Sequence, residues 1–322
     1  MAGLTLQDLT DGPLLDQVLD ATYPTWGDGL TRTAYGQWNL AQTRTGWGRT
    51  HLQRVGLAEG GRVLASAKRY LFEVVVDGRT VSVLGIGAVF TPEAYRGRGL
   101  AAQLLDAMIA DGRGRGCEAA VLFSEIGPSY YERLGFAAIP RQQFRIDVPR
   151  SRRGAPATLV RALEPTDLSG LAEIADRYAA GAPFGLRRSA DQIEFGIVRR
   201  RLRAGLGPAG LRQVEVFVSE EGHRPVSFVV VTRGLEGVRL EDCGDRDPTG
   251  ARIGAMLEVL AEREPSVADR SMLAWLPPGV MPQQVSLLES VPAAEVMMVR
   301  PLNGPSGVVQ TSDHYWPSID AF

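Results

Sequence analysis

The stretch Val83–Ala110 constrains this 322-residue chain more than any other. An almost continuously apolar strand, Thr80 to Phe90, leads through Tyr95-Arg96-Gly97-Arg98-Gly99-Leu100 into a segment where Leu100, Leu104, Leu105, Met108 and Ile109 recur at helical spacing. A strand this apolar is central, covered on both faces. The glycines let successive backbone N–H groups converge where a Cβ would clash, and the helix N-terminus adds positive potential. The spacing predicts a nest for a diphosphate, with Arg96 and Arg98 available for charge-assisted contacts. A plain basic turn is the competing reading. A dinucleotide fingerprint fits less well. Ala102 can stand for its third glycine, but hairpins precede this turn, whereas a dinucleotide fold begins with the strand, the turn and the helix. A Walker A loop would need Gly-Lys followed by Ser or Thr, absent from this turn. Gly112-Arg113-Gly114-Arg115-Gly116 mimics an arginine-glycine RNA-binding tract, but one short copy between a helix and a strand reads as a helix stop.

The hairpins are Leu52–Ala58, Arg62–Arg69 and Phe72–Val76, punctuated by Glu59-Gly60-Gly61 and by Asp77-Gly78, a strong turn signal. Upstream, Pro13–Leu19 reads as a helix, and Tyr23–Trp47, with Trp26, Tyr35, Trp38 and Trp47, as helices and loops over one sheet edge. These aromatics serve as core or shape an acceptor pocket. Downstream come a buried strand, Ala119–Phe123, a short helix, Tyr130–Leu134, and a strand, Phe136–Ile146.

With these pieces in order, the chain resembles the GNAT N-acetyltransferase superfamily. The matching residues are Val83–Phe90, Tyr95-Arg96-Gly97-Arg98-Gly99-Leu100 with Ala101-Ala102-Gln103-Leu104-Leu105, and Ser129-Tyr130-Tyr131-Glu132-Arg133-Leu134-Gly135-Phe136. Ala102 departs mildly from the usual glycine. The resemblance is also to the fungal lysine N-acetyltransferase group, through Phe90-Thr91-Pro92-Glu93-Ala94-Tyr95-Arg96-Gly97 and Phe123-Ser124-Glu125-Ile126-Gly127, with a weaker echo at Trp275-Leu276-Pro277. The two-module layout is similar to enhanced-intracellular-survival-type acetyltransferases.

The resemblance implies acetyl-CoA as cosubstrate, held by Arg96, Gly97, Arg98, Gly99, Leu100, Ala101 and Ala102, with backbone N–H groups of Ala88, Val89, Phe90 and Thr91 polarising the thioester carbonyl. It implies Tyr131 beside the cofactor sulfur as general acid. The competing role for Tyr131 is an aromatic packed under the cofactor, and Tyr130 is the adjacent candidate acid. For the base, Glu73 or Glu125 is open, with Glu125 alternatively binding the acceptor amine. A returning C-terminal tail would offer His314 or the Phe322 carboxylate, the latter by resemblance to the survival-type enzymes. His51 and His223 read as surface histidines.

The fold expected is α/β: tandem GNAT-like modules with mixed, mainly antiparallel sheets flanked by helices. Residues 1–148 form the catalytic domain, 149–157 an arginine- and proline-rich linker, 158–303 a degenerate second module and 304–322 a tail. The degenerate cradle is Val238–Gly250, where Glu241, Asp242, Asp245 and Asp247 would repel a diphosphate. Metal binding by Asp242, Asp245 and Asp247 is the alternative there, although they do not match an EF-hand loop. One cofactor site is expected, with the second module closing the acceptor pocket or stabilising the fold.

A formal charge of −2 gives no global reason to expect nucleic acid or bilayer as partner. Cys117 and Cys243 suggest neither a disulfide framework nor a metal knuckle. No secretory segment or membrane-length apolar run is evident, so a cytoplasmic protein is expected, a homodimer remaining open. The function expected is direct acetyl transfer to a small-molecule amine such as an amino acid or hydrazine-like compound. Peptide-lysine acetylation and a non-catalytic CoA-binding sensor or scaffold are the alternatives.

Overall fold

The computed structural model describes residues 4–149, 159–235, 237–263, 271–303 and 314–322. In chain order the elements are β1 (Leu6–Asp8), α1 (Gly12–Trp26), α2 (Arg32–Arg44), α3 (Gly48–His51), β2 (Leu52–Glu59), β3 (Arg62–Val76), β4 (Arg79–Phe90), α4 (Leu100–Gly114), β5 (Ala119–Ser124), α5 (Ser129–Glu132) and β6 (Ala137–Ile139). They continue as β7 (Gln142–Asp147), β8 (Val160–Ala162), α6 (Leu168–Gly181), β9 (Phe184–Arg187), α7 (Ala190–Leu206), β10 (Arg212–Glu221), β11 (Arg224–Gly234) and β12 (Gly237–Asp245). The last are α8 (Ala251–Arg263), β13 (Ser271–Ala274), β14 (Ser286–Pro292), β15 (Val296–Pro301) and β16 (His314–Tyr315). None of the helices described is long and apolar enough to cross a membrane.

The chain divides into two compact units. The first holds the described residues of Met1–Pro140 and Ala294–Ser312, together with Phe322; the second holds those of Arg141–Ala293 and Asp313–Ala321. In the first unit the sheet order is β1-β2-β3-β4-β5-β15-β6. Neighbours are antiparallel except β4 and β5, which run parallel because α4 forms the crossover between them. The Asp77-Gly78 turn takes φ of 47° and 78°, so both residues adopt the positive values that a tight hairpin asks for. On α4, Leu100, Leu104, Leu105, Met108 and Ile109 are buried, the stripe read from the periodicity, and they join Val55, Ala67, Leu84, Ile86, Leu122 and Tyr131 in one core.

Two expectations change here. Phe136–Ile146 is not one strand: Pro140, lacking an N–H, interrupts the ladder, and β7 lies in the sheet of the second unit. Val296–Val299, read as part of the second module, lies in β15, inserted between β5 and β6 of the first sheet. The expected linker falls almost entirely outside the described residues, as does 304–313 of the tail.

The second sheet runs β14-β7-β13-β12-β11-β10-β8. Its cradle-like segment ends β12 and precedes α8, and its acids are engaged by the chain itself. The Arg252 backbone N–H at the start of α8 donates to Asp245 Oδ2 at 2.8 Å, and the Arg252 guanidinium to Asp245 Oδ1 at 3.1 Å. Asp247 accepts from Thr249 N–H at 2.9 Å. Among the described residues no group of three His, Cys, Asp or Glu is arranged to hold a metal ion.

The most buried polar assembly of this unit centres on Arg188, which is 1% exposed. Its Nη1 donates to Asp242 Oδ2 at 2.6 Å and Asp320 Oδ2 at 3.1 Å, and its Nη2 to the Tyr315 hydroxyl at 2.6 Å. The tail segment is further held by Arg199, which donates to the Ile319 and Ala321 carbonyls at 2.7 Å each, and by Arg200, which donates to the Ser318 carbonyl at 2.6 Å.

Arg188→Met strands two buried carboxylates, and urea unfolding should show a loss of about 3–5 kcal/mol. Burial pushes Asp242 up to about 6 although Arg188 pulls the other way. A carboxyl raised in the native state binds its proton more tightly there than in the unfolded chain. Its contribution is therefore full below about pH 4 and is lost as pH rises through about 6. The stability of the wild type relative to Asp242→Asn should fall between pH 4 and pH 7 in paired denaturation curves; a flat difference would contradict the assignment.

Candidate active site

The first unit gains its site where β4 changes neighbours. Parallel pairing with β5 runs from Val83↔Ala119 to Ile86↔Leu122 and stops, while β4 continues to Phe90 and β5 to Ser124. On its other side β4 pairs with β3 through Lys68↔Gly87, and the register then shifts so that Ser66 faces Phe90. Ala88 sits in this bulge with φ of 48°, a conformation that costs a non-glycine residue about 1 kcal/mol or more. Backbone N–H and C=O groups of Ala88, Val89, Phe90 and Thr91 on the β5 side are thus outside the ladder, facing a slot suited to an extended ligand. The Thr91 hydroxyl is buried with no hydrogen-bond partner among the described residues.

A short 3-10 turn, Glu93–Tyr95, carries the chain from this slot to the start of α4. Gly97 and Gly99 have φ of 76° and 73°, and an added Cβ would meet nothing within 4 Å at either position. Both are exposed, so the backbone of the turn is uncovered, and the positive φ at each favours glycine. Gly99 is the N-cap of α4 and offers no side-chain cap, so the first N–H groups of the helix, at Leu100, Ala101 and Ala102, point outward by helix geometry. Arg96 and Arg98 are exposed and folded onto their own segment. Arg96 Nε donates to the Thr91 carbonyl at 3.2 Å with its guanidinium over Phe90, and Arg98 Nη2 donates to the Ala94 carbonyl at 3.1 Å with its guanidinium over Tyr95. The arrangement offers converging N–H dipoles with two cations at the rim, which suits a diphosphate.

Tyr131 lies in α5, 8% exposed, in the same core cluster as Leu100 and with Val89 packed against that cluster. Its ring meets Tyr130 edge-on at 5.1 Å and Phe136 at 6.1 Å. Burial pushes its phenol up to about 12, with smaller contributions from Tyr130 and the negative charge of Glu125. Glu125 is exposed just past β5.

Phe322 completes the face opposite α4. Its ring lies 4.5 Å from Tyr70, 5.2 Å from Phe72 and 5.2 Å edge-on from Phe123. It rests on two glycines of β4: a Cβ on Gly85 would come within 2.9 Å of Phe322 Cζ, and one on Gly87 within 2.9 Å of Cδ2 and 3.4 Å of the main-chain carbonyl carbon. The main-chain carbonyl carbon of Phe322 therefore lies beside Gly87, next to the bulge. Glu73 is not brought here. It is exposed, follows Phe72 in β3, and so projects to the opposite face of the sheet, level with Ser82 at the far end of β4. His314 lies in the second unit, where β16 pairs with β9. The aromatic floor of Tyr70, Phe72 and Phe123 escapes a reading of the sequence. The available signal was Gly85-Ile86-Gly87, since glycines inside a strand mark a close approach.

Residues 22–139 match the family described as acetyltransferase (GNAT) domain. No curated protein matches the chain in sequence. Among solved structures, a GCN5-related N-acetyltransferase from Kribbella flavida is similar at 19% identity and a TM-score of 0.67, covering 94% of this chain and 71% of that one. Eis1 from Mycobacterium abscessus is similar at 14% identity and a TM-score of 0.58, with 93% and 74% covered. A tandem GNAT protein from the clavulanic acid biosynthesis pathway is similar at 14% identity and a TM-score of 0.54, with 94% and 99% covered. The chain thus shares the fold of these proteins, and residues 22–139 are similar to the GNAT acetyltransferase domain.

Proposed function

We propose that the chain transfers an acetyl group directly from acetyl-CoA to a small-molecule amine. The carrying observation is the alignment of an unpaired strand end at Ala88–Thr91 with an uncapped glycine cradle at Gly97–Gly99, which together match an extended thioester arm and its diphosphate. The open space at both glycines and the partnerless Thr91 hydroxyl support the fit. Acetyl-CoA supplies the activated acyl group.

In this reading the N–H groups of Leu100, Ala101 and Ala102 hold the diphosphate, and Arg96 and Arg98 leave the carbonyls of Thr91 and Ala94 to neutralise its outer oxygens. An N–H among Ala88–Thr91 stabilises the negative charge that develops on the thioester oxygen. Tyr131 protonates the departing sulfur; burial keeps its hydroxyl protonated across the working range of pH. The carboxylate that Phe322 carries here takes the proton of the attacking amine beside Gly87. Glu125, exposed just past β5, attracts the ammonium form of the acceptor before it becomes the neutral nucleophile. Glu73 and His314 take no part. An amine panel monitored by thiol release tests the whole reading: saturable CoA binding with no thiol released for any amine would overturn it.

Tyr131→Phe should lower kcat by about a hundredfold or more with little change in the KM for acetyl-CoA, read by steady-state kinetics. Because the phenol titrates at about 12, wild-type kcat should show no fall from loss of this acid up to pH 10. Gly97→Val and Gly99→Val place side chains in the cradle at positive φ. Each should raise the KM for acetyl-CoA at least about tenfold, with a smaller effect on the KM for the amine.

A further inference from the structure

Between α1, α2 and the strands β2 and β3 lies a small depression of about 20 Å³, partly open to solvent. Thr10, Asn39, Thr43, Arg54 and Lys68 supply its polar lining, and leucines supply the rest. No Asp or Glu lines it, so its formal charge is positive twice over. Arg54 is only 4% exposed. Its Nη2 donates to Asn39 Oδ1 at 3.0 Å, while its Nη1 is buried with no hydrogen-bond partner among the described residues. Among the described residues of the first unit no other guanidinium is buried so deeply without a carboxylate. Arg69, its nearest counterpart, is paired with Asp111 at 2.5 Å. A buried cation without a counter-ion is costly, and burial accordingly pulls the Arg54 guanidinium down from its ordinary range. Lys68 is half-buried, donates to Gln42 Oε1 at 2.9 Å and lies over Trp38 at 5.2 Å.

The sheet register relates this depression to the bulge. Arg54 is the cross-strand partner of Lys68, and Lys68 is the cross-strand partner of Gly87. Directly paired residues of an antiparallel ladder share a face, so Arg54, Lys68 and Gly87 form one row across three strands. This is the face on which Phe322 lies against Gly87. Two inter-strand steps of about 5 Å separate the Arg54 and Gly87 backbones by roughly 10 Å.

We propose that Arg54, with Asn39 and Lys68, binds a carboxylate on the acceptor, so that the acceptor is an amino acid whose amine and carboxylate stand several bonds apart. The proposal rests on the acyl-transfer reading and specifies the substrate class of that site. One unpartnered guanidinium nitrogen, flanked by an amide and a shared ammonium, suits a monoanion better than a phosphate dianion, which would demand several free donors. The amine would then reach the Phe322 carboxylate and Gly87 while the carboxylate is anchored two strands away.

The test compares 6-aminohexanoate with hexylamine, two amines of equal carbon number that differ by the carboxylate. In the wild type, thiol-release kinetics should give 6-aminohexanoate a KM at least about tenfold lower than hexylamine, with similar kcat. Arg54→Met should bring the KM ratio close to one, and Arg54→Lys should restore much of it. A wild-type ratio near one, or a ratio that Arg54→Met leaves intact, would overturn the proposal. Should Arg54→Met fail to fold, the readout is calorimetric titration of the wild-type CoA complex: 6-aminohexanoate should bind and hexylamine bind at least about tenfold more weakly, with equal binding overturning the proposal. The two readings fail separately. Binding of 6-aminohexanoate that needs Arg54, without thiol release for any amine, keeps the anion pocket and removes acyl transfer. Turnover of other amines, with no preference for 6-aminohexanoate, keeps acyl transfer and removes the pocket's role.

Discussion

Residues 83–86 of β4 are paired on both sides, whereas beyond them Gly87 and Phe90 keep a partner on β3 alone and Ala88 and Val89 lie in the bulge between. This loss of a neighbour is the constraint on which the first unit's site depends. A strand that stops pairing inside a protein must find other partners for its polar backbone, because burying them unpaired costs about 1–3 kcal/mol each. Ala88 accepts a positive φ to turn the strand end, and β3 keeps hold of β4 on both sides of the bulge. β5 is held on its far side by β15, so it does not follow β4 across the gap. The short turn at Glu93–Tyr95 then delivers Gly97 and Gly99 to the start of α4.

Much of this was legible because it is local. The apolar strand, the glycine turn and the α4 stripe are written in adjacent residues, as is the hairpin at Asp77-Gly78. What was not legible depends on pairing between distant segments. Val296-Met297-Met298-Val299 reads as a strand, but nothing in it says that its neighbours are β5 and β6. The helix α7 escaped notice because its second half, Arg199-Arg200-Arg201-Leu202-Arg203, looks like a solvated run, yet Arg199 and Arg200 hold carbonyls of Ser318, Ile319 and Ala321. Glu73 was misplaced for a simpler reason: alternation along β3 puts it on the other face from Phe72, and a strand's sequence does not announce which face bears the site.

Two buried arginines show how one residue type serves opposite ends. Arg188 is enclosed by Asp242, Asp320 and the Tyr315 hydroxyl, so its charge is answered within the chain and ties the tail segment to the second unit's core. Arg54 is nearly as buried but has a neutral amide for its partner. The first arrangement is closed to ligands by its own carboxylates. The second keeps an unanswered donor beside a depression, which is a costly thing for a fold to keep unless something outside it supplies the acceptor.

The start of α8 is a comparable place in the second unit to the start of α4 in the first, and it is filled by Asp245, which accepts both the backbone N–H and the guanidinium of Arg252. Removing Asp245 alone would not open an anion site there: Arg252 would lose a partner, and the glycine of this turn, Gly250, lies against Val280 instead of open space. The same carboxylate caps the helix and fixes the guanidinium, so a single substitution at Asp245 would unsettle both the start of α8 and the ion pair beside it.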